Sequence, residues 1–208
     1  MSRTLFGFYD LDAAPQHGLA GDLASRLGSA TEAAGFIDGA VYVRSDNAAV
    51  AIQLQYGDED GWEERGAVAT LLQAADWRSR ENDARSYRLV RQVRGDGDDV
   101  KDSTFYIVQR FVVKSELQDG FVSAICNYVE HYAAPIPGFL AGDAYASLDG
   151  GHIVFVMPWA HESALNSLEN REGSLRDMQT HLRMSERHSY ASYQRSSFLR
   201  ATGARYGA

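Results

Sequence analysis

The chain has one cysteine, Cys126, among 208 residues. A single thiol excludes an internal disulfide and any cysteine-built metal cluster. Its setting in an apolar helical stretch reads as core. Proline is also scarce, at four residues, and Pro135 and Pro137 together stop a helical pattern. Positive charge is in deficit: 20 Lys and Arg against 28 Asp and Glu leave a net charge of −8. That is the wrong sign for a protein whose main partner is a phosphate backbone. No run approaches the roughly 18 apolar residues of a membrane span, and the opening MSRTLFGFYDLDAA has no apolar core for a signal peptide. The expectation is a soluble, cytoplasmic protein that binds neither nucleic acid nor membrane.

What is present is an ordinary globular composition, 45% hydrophobic and 23% charged, with enough chain to bury a core. The pattern also repeats. A shift of 103 residues lays Gly35 on Gly138, Phe36 on Phe139, Gly39 on Gly142, Tyr42 on Tyr145 and Asp46 on Asp149. Further on it lays Glu59 on Glu162, Leu72 on Leu175 and Tyr87 on Tyr190. Apolar positions match in kind between them: Ile52 with Phe155, Leu54 with Met157, Tyr56 with Trp159. Two copies are too few for a solenoid, so a duplicated small domain is expected.

Each copy reads as β-α-β-β-α-β. Segments 4–10 and 104–114 are rich in aromatic and β-branched residues, as strands are. Helical spacing follows at 17–33 and at 119–133, where Phe121, Ile125, Val129 and Tyr132 share a face. Two strands then flank a tight turn, at 38–44 and 48–56 and again at 141–147 and 151–158. Asn47 and the Gly150–Gly151 pair supply the positive φ such turns need. A helix at about 60–79, and a longer one at 161–184, precede last strands at 86–93 and 188–196. This is the ferredoxin-like split βαβ pattern, α+β in class, whose open sheet face needs covering. The expected organisation is a first repeat over 1–93, a polar linker over 94–103 and a second repeat over 104–208. The two would pack sheet to sheet as an intramolecular α+β barrel.

Pro137-Gly138-Phe139-Leu140 entering a strand, the Asp149-Gly150-Gly151 turn, and Trp159-Ala160-His161-Glu162 before a helix carry a likeness. With fainter counterparts at Gly35-Phe36-Ile37 and Tyr56-Gly57-Asp58-Glu59, the chain resembles the antibiotic biosynthesis monooxygenase family, taken as a tandem pair. The resemblance implies a dimeric α+β barrel. It also implies an enzyme that oxidises an aromatic polyketide, anthrone-type phenol to quinone, with molecular oxygen as co-substrate and neither metal nor flavin. A polyketide cyclase or isomerase using the same pocket without oxygen is the alternative, and a non-catalytic accessory or carrier protein another. In oxygenase members of the family an Asn and a Trp four residues apart face the cavity. Trp159 falls on the Trp, with Tyr56 as its counterpart, but the Asn position holds Phe155 and Ile52. A family Tyr six residues beyond the Trp falls on Leu165 and Trp62.

Strand periodicity puts Ile52, Leu54 and Tyr56 on one face, and Phe155, Met157 and Trp159 on another. These faces are candidate floors of an apolar pocket for a flat ligand, with a Tyr hydroxyl or Trp N–H as polar handle. The expected catalytic group is Trp159, Tyr56 and His161, the last placed where a strand end meets a helix start. Phe155, Met157, Ile52, Leu54, Trp62 and Leu165 are the expected substrate-binding residues. Of the six histidines, His181 and His188 read as solvated, while Tyr190 on the last strand reads as pocket wall or edge decoration. No H-x-H or H-E-x-x-H pair appears, so no metal is expected, and no cofactor besides oxygen. The partner is a small aromatic polyketide, and the chain is expected as a monomeric pseudo-dimer or a homodimer.

Overall fold

The computed structural model describes residues 2–11, 27, 35–57, 79–95 and 105–200. The first-repeat helices expected at 17–33 and 60–79, Trp62, and most of the expected linker lie outside those residues. The chain divides into two compact units, Met1–Arg88 with Arg195–Ala208, and Leu89–Gln194.

The first unit holds β1 (Arg3–Leu11), β2 (Phe36–Arg44), β3 (Ala49–Tyr56) and the first part of β4 (Ser79–Arg94). The strands are antiparallel in the order β4-β1-β3-β2. β1 is buried on both faces from Thr4 to Tyr9. On β3, Ile52, Leu54 and Tyr56 are fully buried while Gln53 and Gln55 face the other way, half-buried. The turn between β2 and β3 is closed by Asp46, whose Oδ1 accepts from the Ala48 N–H at 2.9 Å. Asn47 takes the positive φ of 59° that its short polar side chain tolerates.

The second unit contains the end of β4 and β5 (Phe105–Val112), β6 (Ala141–Ser147), β7 (His152–Trp159) and most of β8 (Arg187–Arg200). The order β8-β5-β7-β6 repeats the fourth-first-third-second order of the first unit. Among the described residues three α-helices accompany these strands: α1 (Gln118–Tyr128), α2 (Ser163–Glu169) and α3 (Ser174–Leu182). The α+β class expected from the sequence is present, with ferredoxin-like strand order among the strands of each unit.

α1 buries Phe121, Val122, Ile125 and Cys126 against the sheet face formed by Phe105, Ile107 and Phe111 of β5 and Ile153, Phe155, Met157 and Trp159 of β7. Burial of apolar surface, at roughly 25 cal/mol per Å², makes this contact stabilising. At its end α1 widens into a π-turn, Val129–Ala133, in which the Ala134 N–H donates to the Val129 carbonyl at 2.9 Å.

The single helix expected over 161–184 is two. α2 ends at Glu169, and Gly173 turns left-handed at φ +82° before α3 begins. A Cβ at Gly173 would also lie 3.0 Å from the Tyr132 hydroxyl. Both the torsion and the close approach call for glycine. The last strands are also longer than expected: β4 starts at Ser79 and β8 runs to Arg200.

Candidate active site

The break between α2 and α3 leaves room over the sheet. A cavity of about 320 Å³ lies in the second unit between the β5–β8 side of the sheet and the helices. Its floor follows from strand alternation: Ile107, Gln109 and Phe111 share one face of β5. Across the ladders, Met157 of β7 faces Ile107, while Tyr190 and His188 of β8 face Gln109 and Phe111. The roof is Leu165 and Leu168 of α2 with Leu175, Met178 and Leu182 of α3. On α3 those three recur at i, i+3 and i+7, the apolar stripe of a helix laid on a sheet. Leu175 and Tyr190, at 60% and 61% exposed, mark the rim.

Two polar groups that are not exposed stand within these walls. The first is Gln109, half-buried on the β5 floor. The second is a hydroxyl pair, Tyr128 of α1 and Ser174 at the start of α3, 2.6 Å apart and both buried. Burial pushes the Tyr128 phenol above its usual pKa, with the Asp177 charge adding to the rise and the Ser174 bond opposing it. One turn along, Tyr132 donates to Asp177 Oδ2 at 2.6 Å. That bond raises the Tyr132 pKa and holds the Asp177 carboxyl below its usual range. The two tyrosine rings lie 5.0 Å apart, so α1 and α3 are joined by a ladder of two hydroxyl contacts. Glu169 and His188 line the cavity from exposed positions.

The sequence-predicted residues fall in three places. Met157 and Leu165 line the cavity. Phe155 and Trp159 are fully buried core residues. Trp159 meets Phe139 edge-on at 5.1 Å, and the Ala160 N–H donates to the Gly138 carbonyl at 2.8 Å. His161 is exposed, its Nδ1 2.8 Å from Ser163 Oγ, outside the cavity lining. In the first unit Ile52, Leu54 and Tyr56 are fully buried, and burial lifts the Tyr56 phenol to about 12. There Phe36 meets Tyr56 edge-on at 5.5 Å, and the Gly57 N–H donates to the Gly35 carbonyl at 2.7 Å. The motif that repeats along the sequence is thus the same aromatic clamp in each unit, fastening the approach to one strand against the end of its neighbour.

Sequence reasoning missed Gln109, Tyr128, Ser174, Glu169 and His188 as cavity residues. Gln109 carried a signal: it is the one polar residue on the Phe105, Ile107, Phe111 face. Ser174 carried none, because only the break before α3 brings it to Tyr128. Among the described residues no group of three or more His, Cys, Asp or Glu side chains is placed to hold a metal ion. No helix among them is long and apolar enough to cross a membrane.

Comparison with known proteins places the fold. No family model matches the chain, and no curated protein matches it. Solved structures do. A structure described as an anthrone oxidase-like protein aligns over 100% of this chain and 96% of its own, with a TM-score of 0.75 at 15% identity. A Fusobacterium nucleatum protein with a provisional monooxygenase name covers 99% and 97%, with a TM-score of 0.65 at 11% identity. A ferredoxin-fold protein from Listeria monocytogenes, described as related to antibiotic biosynthesis monooxygenases, covers 95% of each chain with a TM-score of 0.54 at 9% identity. The chain therefore has the fold of proteins grouped with these monooxygenases, over its whole length. At such identities the likeness is one of fold, and one fold hosts many activities.

Proposed function

We propose that this protein is a cofactor-independent monooxygenase that oxidises a small aromatic phenol of the anthrone type to its quinone, in the second-unit cavity. The observation that carries the reading is the cavity itself: a mostly apolar lining with one amide and one buried hydroxyl pair, and Glu169, His188 and Ser189 at exposed positions. That is the usual make-up of a site that holds a flat apolar ligand by a few oriented polar contacts. The name of the anthrone oxidase-like structure supports the substrate class. The shared strand order and the repeated clamp support descent of the two units from one ferredoxin-like copy.

In this reading the ligand lies between the leucine and methionine roof and the β5 floor, shielded from bulk water. His188 at the rim takes a proton from the substrate as general base. The electron pair left behind makes the ring electron-rich. One electron passes to oxygen, the radical pair recombines to a peroxide at the ring carbon, and loss of water leaves the new carbonyl. One molecule of oxygen yields one quinone oxygen and one water. The protein supplies orientation, the proton transfer and exclusion of water.

A second reading, a cyclase or isomerase that uses the same proton transfer without oxygen, is favoured by one observation. The position at which oxygenase members carry Asn is Phe155, sealed in the core. Converting an anthrone in parallel under air and under argon separates the two. The oxygenase reading expects quinone to form, on contact with the protein, under air alone. Protein-dependent product under argon would overturn it in favour of the second.

A further inference from the structure

We infer that the Tyr128–Ser174 hydroxyl pair is the anion-stabilising element of this cavity, donating a hydrogen bond to an oxygen of a bound phenol or ketone and favouring that oxygen's ionised form. The inference rests on the reading that the cavity takes such a ligand.

The argument is a count of protons. Each hydroxyl has one proton to donate and can accept. At 2.6 Å one proton lies between the two oxygens. Whichever residue gives it, the other residue's proton needs an acceptor elsewhere. Tyr128 and Ser174 are 5% and 1% exposed, so bulk water is not that acceptor, and an unmet buried donor costs on the order of 1–3 kcal/mol. Both residues line the cavity, which makes an acceptor atom on its occupant the natural partner. A carbonyl, a phenolate or an enolate oxygen fits, whereas a hydrocarbon does not.

A second observation gives the site its sign. Ser174 and Leu175, both lining the cavity, are the first two residues of α3. The Ser174 N–H itself donates to the Arg171 carbonyl at 3.1 Å, while the positive end of the helix dipole favours an anion nearby. Other charged and titratable groups bear on the pair. Tyr132 in the π-turn after α1 pairs with Asp177 of α3, the His181 ring stands 6.1 Å from Tyr128, and Glu169 and His188 line the same cavity. Asp177 would oppose an anion, but its carboxylate is engaged by Tyr132 and by Arg176 Nε at 3.4 Å. Because burial keeps the Tyr128 phenol protonated, it stays a donor while charge develops on the ligand. The bond that breaks is the substrate's bond to hydrogen: the proton goes to the rim base, and the electron pair settles on the oxygen held by the hydroxyls.

The test uses 1,8-dihydroxyanthraquinone, a flat tricyclic probe whose ionisation changes its visible colour. It is titrated with pH free in solution and with saturating protein, and binding is followed separately by equilibrium dialysis. The bound probe is expected to ionise at lower pH than the free one. Tyr128→Phe and Ser174→Ala are each expected to raise its apparent pKa again, reducing the ionisation constant about tenfold, while the probe still binds. His161→Ala, which removes an exposed side chain outside the cavity lining, is expected to leave the bound pKa in place. A bound probe that titrates like the free one, or identically in Tyr128→Phe, would overturn the assignment while leaving the cavity reading intact. Failure of the probe to bind at any pH would sink the cavity reading, and this inference with it.

Discussion

Gln109 on β5 stands directly across the ladder from Phe155 on β7. The polar group on this sheet face is one strand over from where the family likeness looked for it. Phe155 is fully buried and packs close to Gly142, while Gln109 opens into the cavity. Gln109→Leu is expected to weaken binding of an oxygen-bearing aromatic ligand about tenfold, the loss of one neutral hydrogen bond. Fluorescence titration of variant and wild type checks this. Phe155→Asn is expected to cost about 2–4 kcal/mol of stability in urea denaturation, because it buries a polar amide in an apolar core.

Gly173 sets the geometry of the hydroxyl pair. Alanine there must adopt φ near +82° and place its Cβ 3.0 Å from the Tyr132 hydroxyl. Gly173→Ala is expected to lower stability by about 1–2 kcal/mol and to weaken ligand binding in step. A variant with unchanged urea midpoint and unchanged affinity would show that the left-handed turn is not needed to bring Ser174 to Tyr128.

In the first unit the Tyr9 ring lies over Gly7, so close that a Cβ at Gly7 would be 2.5 Å from the Tyr9 hydroxyl. That hydroxyl is buried with no hydrogen-bond partner among the described residues. Burial, reinforced by the Asp83 charge, raises its pKa far above normal. Tyr9→Phe is expected to stabilise the protein by about 1 kcal/mol, since an unmet buried donor is removed. Gly7→Ala is expected to destabilise it by about 1–3 kcal/mol through overpacking. Thermal melts of the two variants should therefore move in opposite directions.

Asp143 gives a pH signature. Its carboxyl accepts from Gln92 Nε2 at 2.9 Å, yet burial raises its pKa, outweighing the Arg94 charge and the Gln92 bond. The folded protein thus binds this proton more tightly than the unfolded chain does. Its stabilising contribution is full below the ordinary aspartate range and is lost as pH rises through the folded value. Asp143→Asn keeps the acceptor for Gln92 and loses the charge. It is expected to raise the melting temperature by a few degrees at pH 7, with the gain fading below about pH 4.

Much of the fold was legible because alternation and turn chemistry are local. Asn47 and Gly150 take the positive φ expected of them, and β2, β3, β6 and β7 fall within two residues of their expected bounds. The aromatic clamps were legible too, since Phe36 with Tyr56 and Phe139 with Trp159 repeat at one offset. Their prominence in the sequence reflects packing. The cavity was less legible because it depends on a break that periodicity bridges: Leu165, Leu168, Leu175, Met178 and Leu182 read as one helical stripe until Gly173 interrupts it. His188 read as solvated, and it is exposed, but exposure at a cavity rim and exposure on an open surface look alike in sequence.

The central claim is that oxygen chemistry takes place in the second-unit cavity. Dissolved oxygen followed with chelator-treated protein and an anthrone, for wild type beside Met178→Trp, tests it most directly. Met178 lines the roof and is half-buried, so the indole is expected to fill the space with little change in the circular dichroism spectrum. The account expects wild type to accelerate oxygen uptake with one quinone formed per oxygen consumed, and the filled variant to fall to the rate without protein. Equal acceleration by both proteins, or none by a wild type that binds the anthrone, would contradict it.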